Sequence, residues 1–470
     1  GNMQILTKPT LTLLLLILSS WTSAELPSIG SASTSTLQLE QEHKIGQAWV
    51  RMVRAKTNLL DDPVVESYLQ GLLWRLAPAS GLQDQRLTLL VIDSPEINAF
   101  AAPGGIIGIN AGLIAAARRE DELASVIAHE FAHLSQRHYA QQQAASDKNA
   151  PLVMAGIIGG ILLAGTNPDA GVALYQGTLG ASISSQLAFS RANETDADQT
   201  GMKTLVASGF SASAMPRMFD LLQNANRFAG NQTPEFLRTH PVTQNRIADA
   251  NNRAQTLQEP PAYMDSLEFE IARARVLAHL NTQNSISSAE RADQPLVDYL
   301  LAVKVADLER AQNRWQQLSP SMQSAPWLQL SRVKQFELAQ QDANANALME
   351  ELIDLYPDDY AVQRAQITKL TSENRHADAI DLLRKVVRAQ PDNPQNWYLL
   401  AEASGLVSDI YGLHQARVEY FLLRGDYDLA LRQLEFARRD VRRAPERLEW
   451  VAQREAEVLQ QRTEVDQLLR

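Results

Sequence analysis

The spacing of apolar positions changes more than once along the chain. Between residues 36 and 80 they recur every three or four residues, in "EQEHKIGQAWVRMVRA" and "VVESYLQGLLWRLAP", which predicts amphipathic helices. The period then shortens. "RLTLLVIDS" (86–94) and "GGIIGIN" (104–110) are short, leucine-rich or β-branched and bounded by Pro and Gly, the pattern of strands. "PEINAFAAPGG" between them reads as a turn-rich connection. From about Asp121 the helical spacing returns, with Leu123, Ile127, Phe131 and Leu134 on one stripe.

Residues 143–185 carry "PLVMAGIIGGILLAG" (151–165), an apolar, glycine-rich run too short for a bilayer span of about 20 residues. A buried helix, a lid over a cleft and a surface making peripheral membrane contact all fit it. Paired prolines in "QEPPAYMD" (258–265) mark a boundary. Beyond them the chain is helical throughout. "ANALMEELIDLYPDD" and "ADAIDLLRKVVRAQPDN" align with Ala345 under Ala379, Leu348 under Leu382 and Pro357 under Pro391, a 34-residue period that resembles tetratricopeptide repeats. "WYLLA" (397–401) fits a first helix of such a repeat and "GDYDLALRQLEFARR" (425–439) a further second helix. Ala430 follows Ala379 by one and a half periods, so the array is irregular.

The N-terminus has a basic Lys8, the apolar run "LTLLLLILSS" and small residues before Glu25, the layout of a secretory signal peptide over 1–24. Gly1 and Asn2 precede Met3 and read as an expression remnant. With no cysteine there is neither a lipid-anchor thiol nor a disulfide framework. The expectation is an exported, soluble protein, in a bacterium one of the periplasm or medium. A net charge of −11 gives no basic surplus for nucleic acid. The domains expected are the signal peptide, a first domain over 25–258 and a helical repeat domain over 265–470.

The candidate chemistry sits on the helix that starts at about Asp121, in "LASVIAHEFAHLSQRHYAQQ" (123–142), as His129, Glu130 and His133, in the order H-E-x-x-H. Residues four apart share a helix face, so both imidazoles can reach one ion. Zinc binds imidazole readily, and a catalytic site uses three protein ligands plus water. Glu130, one residue after the first ligand, can act as general base on that water. His138, five residues beyond His133, projects away. The metzincin extension needs Gly and His where Gln136 and Tyr139 stand. "FSRANETDADQTG" (189–201) offers Glu194 as third ligand and Asp198, four residues on, as a partner that orients a ligand imidazole. "RTHPVTQNRI" adds His240 and Arg246, candidates for stabilising an oxyanion. His240 can instead fill the fourth metal position at rest. The other five histidines, His43, His138, His279, His376 and His414, read as surface or packing residues.

"NAFAAPGGIIGINAGLI", "HEFAH", "SRANETDAD" and "THPVTQNRI" together resemble the M48 metallopeptidases, in the branch that joins such a domain to tetratricopeptide repeats. The resemblance implies one Zn2+ on His129, His133 and Glu194, with Glu130 as general base. Asp198 stands at a family position often assigned as proton donor, and Asp196 departs from the family's Glu. The resemblance also makes "GGIIGIN" the edge strand near the site, where an extended substrate would pair. The fold expected is mainly α with a small β-sheet in the peptidase domain (α+β, zincin-like), followed by an all-α tetratricopeptide-repeat-like domain. The implied clients are unfolded or misassembled outer-membrane β-barrel proteins, with the β-barrel assembly machinery as partner through the repeats. The function expected is periplasmic quality control by proteolysis. The alternative is a chaperone or scaffold for assembly with latent proteolysis. A membrane-embedded peptidase is disfavoured, because such relatives carry several spans of about 20 residues.

Overall fold

A three-stranded sheet and one buried helix fix the position of everything else in the first half of the chain. The computed structural model describes residues 29–136, 189–230, 232–257, 263–281 and 294–469. The expected signal peptide, the segment 143–185 and His138 lie outside the described residues. Residues 43–470 form one compact unit, separate from 1–42. No described helix is long and apolar enough to cross a membrane.

Helix α1 (Ile29–Lys56) is followed by α2 (Pro63–Leu76), which starts where its pattern predicts. The Asp62 carboxylate caps the Val64 and Val65 amides, and Pro63 occupies the first helical position. The strands are β1 (Thr88–Ile92), β2 (Ala99–Ala102) and β3 (Ile106–Asn110), in the order β1-β3-β2. β1 runs parallel to β3 and β2 antiparallel to it.

Two expectations are corrected here. The supposed connection "PEINAFAAPGG" contains a strand, β2, and "GGIIGIN" is the central strand, not the edge. Alanine-rich "AFAA" lacks the β-branched signature of a strand, so its pairing decides its structure. Phe100 lies over Gly108 on β3, where a Cβ would come within 2.1 Å of the Phe100 ring. The edge beside the site is therefore β2.

After α3 (Ala111–Ala116) comes α4 (Glu120–Ser135), which carries the H-E-x-x-H residues. Every residue from Glu120 to His133 is buried, so the helix is covered all round rather than along one stripe. Leu123, Ile127 and Phe131 do enter the main core, beside Leu69, Leu73 and Ile107. Each such side chain contributes about 1.5–3 kcal/mol on full burial. The other faces of α4 meet α5 (Arg191–Ala207), α6 (Ala214–Phe228) and β2. Short α7 (Glu235–Thr239) and α8 (Gln244–Thr256) complete this half.

The turn "YMDS" does more than connect. Asp265 accepts the Glu120 amide at 3.0 Å, and the Glu120 carboxylate receives the hydroxyls of Tyr68 at 2.6 Å, Ser266 at 2.8 Å and Tyr263. The start of the H-E-x-x-H helix is thus tied directly to α9 (Leu267–Asn281), which leads to the helical array.

That array runs through α10 (Pro295–Lys304), α11 (Leu308–Gln317), α12 (Pro320–Gln323), α13 (Pro326–Leu338), α14 (Asp342–Leu355), α15 (Tyr360–Ser372), α16 (His376–Ala389), α17 (Pro394–Leu406), α18 (Ile410–Leu423), α19 (Tyr427–Asp440) and α20 (Pro445–Leu469). Its period is written in the backbone. Left-handed residues stand at Ala306, Gln340, Asn374 and Ser408, each 34 residues from the last, with φ of 58–59°. Each turns one helix back on the next. Gly425, at φ 70°, follows Ser408 after only 17 residues, the half-period step that Ala430 implied. Ala311, Ala345, Ala379 and Ala430 are all 0% exposed where paired helices touch. The Ala311 unit precedes the repeats legible by alignment. The array and α9 also grip the first half: Arg364 forks onto Asp61 at 2.9 and 3.2 Å, and the Nε of Arg275 on α9 donates to both carboxylate oxygens of Asp62 at 2.8 and 3.0 Å.

Candidate metal centre

Two helices cross at the site, and a glycine sets how closely. On α5, Glu194, Asp198 and Gly201 fall at i, i+4 and i+7, one face. A Cβ on Gly201 would lie 3.1 Å from both the Cα and the N of His129. The absence of a side chain there lets α5 press onto the ligand helix. Glu194 sits in the first turn of α5, where the helix dipole favours an acid, and Ser190 caps that turn by accepting the Asn193 amide at 3.1 Å.

The structure brings the candidate residues together. His129 Nε2 lies 3.1 Å from His133 Nε2 and 3.4 Å from Glu194 Oε2, and His133 Nε2 lies 3.2 Å from Glu194 Oε1. His240 joins through Nδ1, 2.9 Å from Glu194 Oε1 and 3.4 Å from His129 Nε2. These four side chains are buried, and their donor atoms all lie within 4.8 Å of one another. Ligand bonds of about 2.0–2.1 Å aimed at tetrahedral corners set donors about 3.3 Å apart. The observed spacings match that value, so the donor set fits one small divalent cation.

Around these donors the supporting contacts are ordered. Asp198 Oδ1 stands 3.0 Å from His129 Nδ1, the ring atom facing away from the cluster. Arg246 binds Asp198 with Nε and Nη2, both at 2.8 Å, and its Nη1 reaches Glu194 Oε2 at 2.8 Å and the Pro241 carbonyl at 2.7 Å. The cation is thus committed to two acids and to the turn that carries His240. Glu130 is fully buried on the other side of His129, with His240 Nε2 at 3.4 Å and the Ala101 amide of β2 beside it.

The electrostatics ask for a positive charge where the ring nitrogens converge. Burial alone would raise Glu194 and Asp198, but His240 and His129 hold Glu194 well below the usual carboxylate range, and Arg246 with His129 lowers Asp198. Burial works against a charged His129 too, yet Glu194 and Asp198 push it up to about 10. Burial holds His133 well below its ordinary value, a neutral imidazole. Burial pushes the Glu130 carboxyl up. Glu194 among the donors and Asp198 behind His129 are thus both held toward the carboxylate form.

Two aromatic residues were not singled out from sequence. His133 stacks on Phe189 at 3.9 Å between centroids, and His240 lies between Phe189 at 5.3 Å and Phe236 at 4.6 Å. Phe189 stood at the head of the "FSRANETDAD" segment without an assigned part. Phe236, four residues before His240, offered only that spacing. Gly201, the i+7 position after Glu194, was likewise not singled out. Among the other histidines, His279 pairs with Asp93 at 2.9 Å and His414 with Asp440 at 2.6 Å, far along the chain from the cluster.

Because the gap at Gly201 is already closed, Gly201→Val is expected to force α5 away from α4. We expect a loss of about 1–3 kcal/mol in stability, read by denaturant unfolding, together with a fall in metal content read by elemental analysis. Unchanged metal content would show that the crossing does not set the ligand spacing.

Residues 63–254 match the family model "Peptidase family M48". The beta-barrel assembly-enhancing protease of Escherichia coli is 30% identical over 89% of this chain and 88% of its own length. That of Yersinia pestis is 31% identical over 81% of this chain and 80% of its own length. A third relative, mitochondrial metalloendopeptidase OMA1 of Schizosaccharomyces pombe, is 31% identical over 38% of this chain and half of its own length. The similarity to OMA1 is confined to part of the chain, whereas that to the two bacterial relatives runs through the helical array as well. The chain belongs to peptidase family M48 and is a metalloendopeptidase.

Proposed function

We propose that this chain is a zinc endopeptidase of the bacterial periplasm that acts in the assembly of outer-membrane β-barrel proteins, cleaving those that misassemble. The observation that carries the reading is the convergence of His129, His133 and Glu194 beside a buried Glu130. The names of the bacterial relatives support the setting. The 34-residue hairpins support a tetratricopeptide-repeat domain over 265–470 that recruits clients or the assembly machinery on its helical surfaces.

In this reading His129, His133 and Glu194 hold the zinc. When bound, the ion supplies a water of lowered pKa and a Lewis acid for the scissile carbonyl. Glu130 takes the proton of the attacking water and returns it to the leaving amine as the C–N bond breaks. Asp198 fixes the tautomer and tilt of His129, and Arg246 holds Asp198 and Glu194 in register. The Ala101 amide of β2 bonds to Glu130 and so helps to hold that carboxyl in place.

For His240 the geometry favours the resting plug. Its Nδ1 lies within the ligand cluster, and its ring is held between Phe189 and Phe236. Arg246, bound to two acids and a carbonyl, is better suited to positioning than to an oxyanion. His240→Ala is accordingly expected to raise basal casein cleavage about tenfold, as a resting population of about one-tenth competent enzyme becomes fully competent. A fall in cleavage would support oxyanion help instead.

The plug also gives the alternative its footing, since a protease held off at rest can serve mainly by holding clients. In a strain lacking the chromosomal copy, the Glu130→Gln chain should fail to clear misassembled barrel proteins. If it restores envelope integrity as well as the unmodified chain, holding is the principal activity and cleavage is secondary.

A further inference from the structure

The edge of the sheet remote from the metal centre faces a cavity that the peptidase chemistry does not use. The Thr88 amide bonds to Gly105 of the β3 side at 2.9 Å, and the parallel register carries that pattern to Leu90 and Ile92. Alternation then turns the main-chain groups of Leu89 and Val91 away from β3. The Val91 carbonyl is taken by the Leu60 amide at 2.9 Å. Among the described residues nothing bonds the amide or carbonyl of Leu89 or the amide of Val91. A cavity of about 400 Å³ lies against this stretch, lined also by residues of α1, α2 and the turn between α16 and α17. That volume falls within the roughly 300–1,000 Å³ typical of ligand sites.

Arg54 lines the same cavity and is a cation without an acid. It is 5% exposed and makes one long hydrogen bond, Nη1 to the Leu423 carbonyl at 3.4 Å. A guanidinium carries five N–H donors, so most of its capacity is unmet. Burial pulls its pKa down to about 10. The acid acting on it, Asp392, is exposed and forms no ion pair with it. Buried charges are ordinarily paired. On another wall Glu66 has a buried carboxyl oxygen, Oε2, with no partner, and burial holds its pKa well above the ordinary value.

An unpaired strand edge selects an extended main chain, and a lone buried guanidinium selects an anion. The free edge is short, because the Leu59–Leu60 bridge occupies it beyond Val91. A strand laid along it in that direction has to stop at Leu59, and both Leu59 and Arg54 line the cavity. We propose that the cavity docks the C-terminal end of an extended polypeptide, which pairs with β1 at Leu89 and places its terminal carboxylate on Arg54. The metal plays no part, so this exosite stands or falls separately from the peptidase reading.

The test uses the full chain carrying Glu130→Gln, so that bound peptide is not consumed. Three fluorescent ten-residue peptides of one alternating apolar–polar sequence are compared by anisotropy: a free C-terminal acid, its C-terminal amide, and an amide with one internal Glu. The free acid should bind at least tenfold more tightly than either amide. Arg54→Gln should abolish that difference, Arg54→Lys should keep part of it, and Gln70→Trp, which fills the cavity from α2, should weaken all binding. Equal binding of acid and amide would overturn the proposal. So would an internal Glu that serves as well as the terminus, or a tenfold preference that survives Arg54→Gln. Should Arg54→Gln fail to fold, the acid–amide comparison on the parent chain and Arg54→Lys still decide it.

Discussion

Glu130→Gln should lower peptide hydrolysis by about 10²–10⁴-fold, the usual contribution of a positioned general base, while leaving one equivalent of bound metal. The side chain is fully buried between His240 Nε2 and the Ala101 amide, so an isosteric amide keeps the packing and removes only the ability to accept a proton. Single-turnover cleavage of a casein peptide and elemental analysis of the same sample check both halves. Residual activity within threefold of the unmodified chain would remove Glu130 from the mechanism. Simultaneous loss of metal would make it a ligand-positioning group.

Much of this site was legible in the chain because its chemistry is local. His129, Glu130 and His133 lie within one turn and a half of helix. Glu194 and Asp198 have the same four-residue spacing as the two histidines, on another helix. What spacing cannot give is which helices meet and how closely. Gly201, Phe189 and Phe236 act only through that meeting, so their parts appear with the tertiary structure.

The sheet shows the same limit. "AFAA" becomes a strand because Phe100 finds Gly108 opposite, and the rank of "GGIIGIN" as central strand depends on β1 pairing from 18 residues earlier in parallel register. Neither fact is written in a local period. In the repeats the alignment read two units from alanine and proline positions. The Ala311 unit escaped it because its second helix is shorter and the connection to the next pair is longer and holds α12, with no proline to match Pro357 and Pro391. The "YMDS" turn read as a boundary. Its hydroxyls, however, meet Glu120 at the start of the H-E-x-x-H helix, a contact across more than 140 residues of chain.

Arg246→Ala should carry the largest stability cost of the substitutions considered, about 3–5 kcal/mol, because it strands two buried acids. Its guanidinium is bidentate on Asp198, touches Glu194 and anchors the Pro241 carbonyl, with the Phe219 ring 4.9 Å beneath it. The pH dependence has a definite sign. Asp198 and Glu194 have folded-state pKa values depressed below their ordinary ones. Their contribution is complete above the unfolded values, about 4, and is lost as pH falls through the folded ones. Chemical unfolding of the metal-free chain should therefore show a wide gap between the unmodified protein and Arg246→Ala at pH 7. The gap should narrow as the pH is taken below about 4, where the stranded acids of the variant become neutral. A gap under 1 kcal/mol at pH 7 would mean the two acids are solvated or neutral without Arg246.

The most direct test of the metal centre is the zinc content of the purified full-length chain, measured beside Glu194→Ala after dialysis against a weak chelator. Three protein donors 3.1–3.4 Å apart should retain one equivalent of zinc per chain, and the variant, left with two imidazoles of that set, should retain little and cleave no casein. Full zinc occupancy in Glu194→Ala, or an unmodified chain that holds no zinc yet still cleaves casein, would contradict the account.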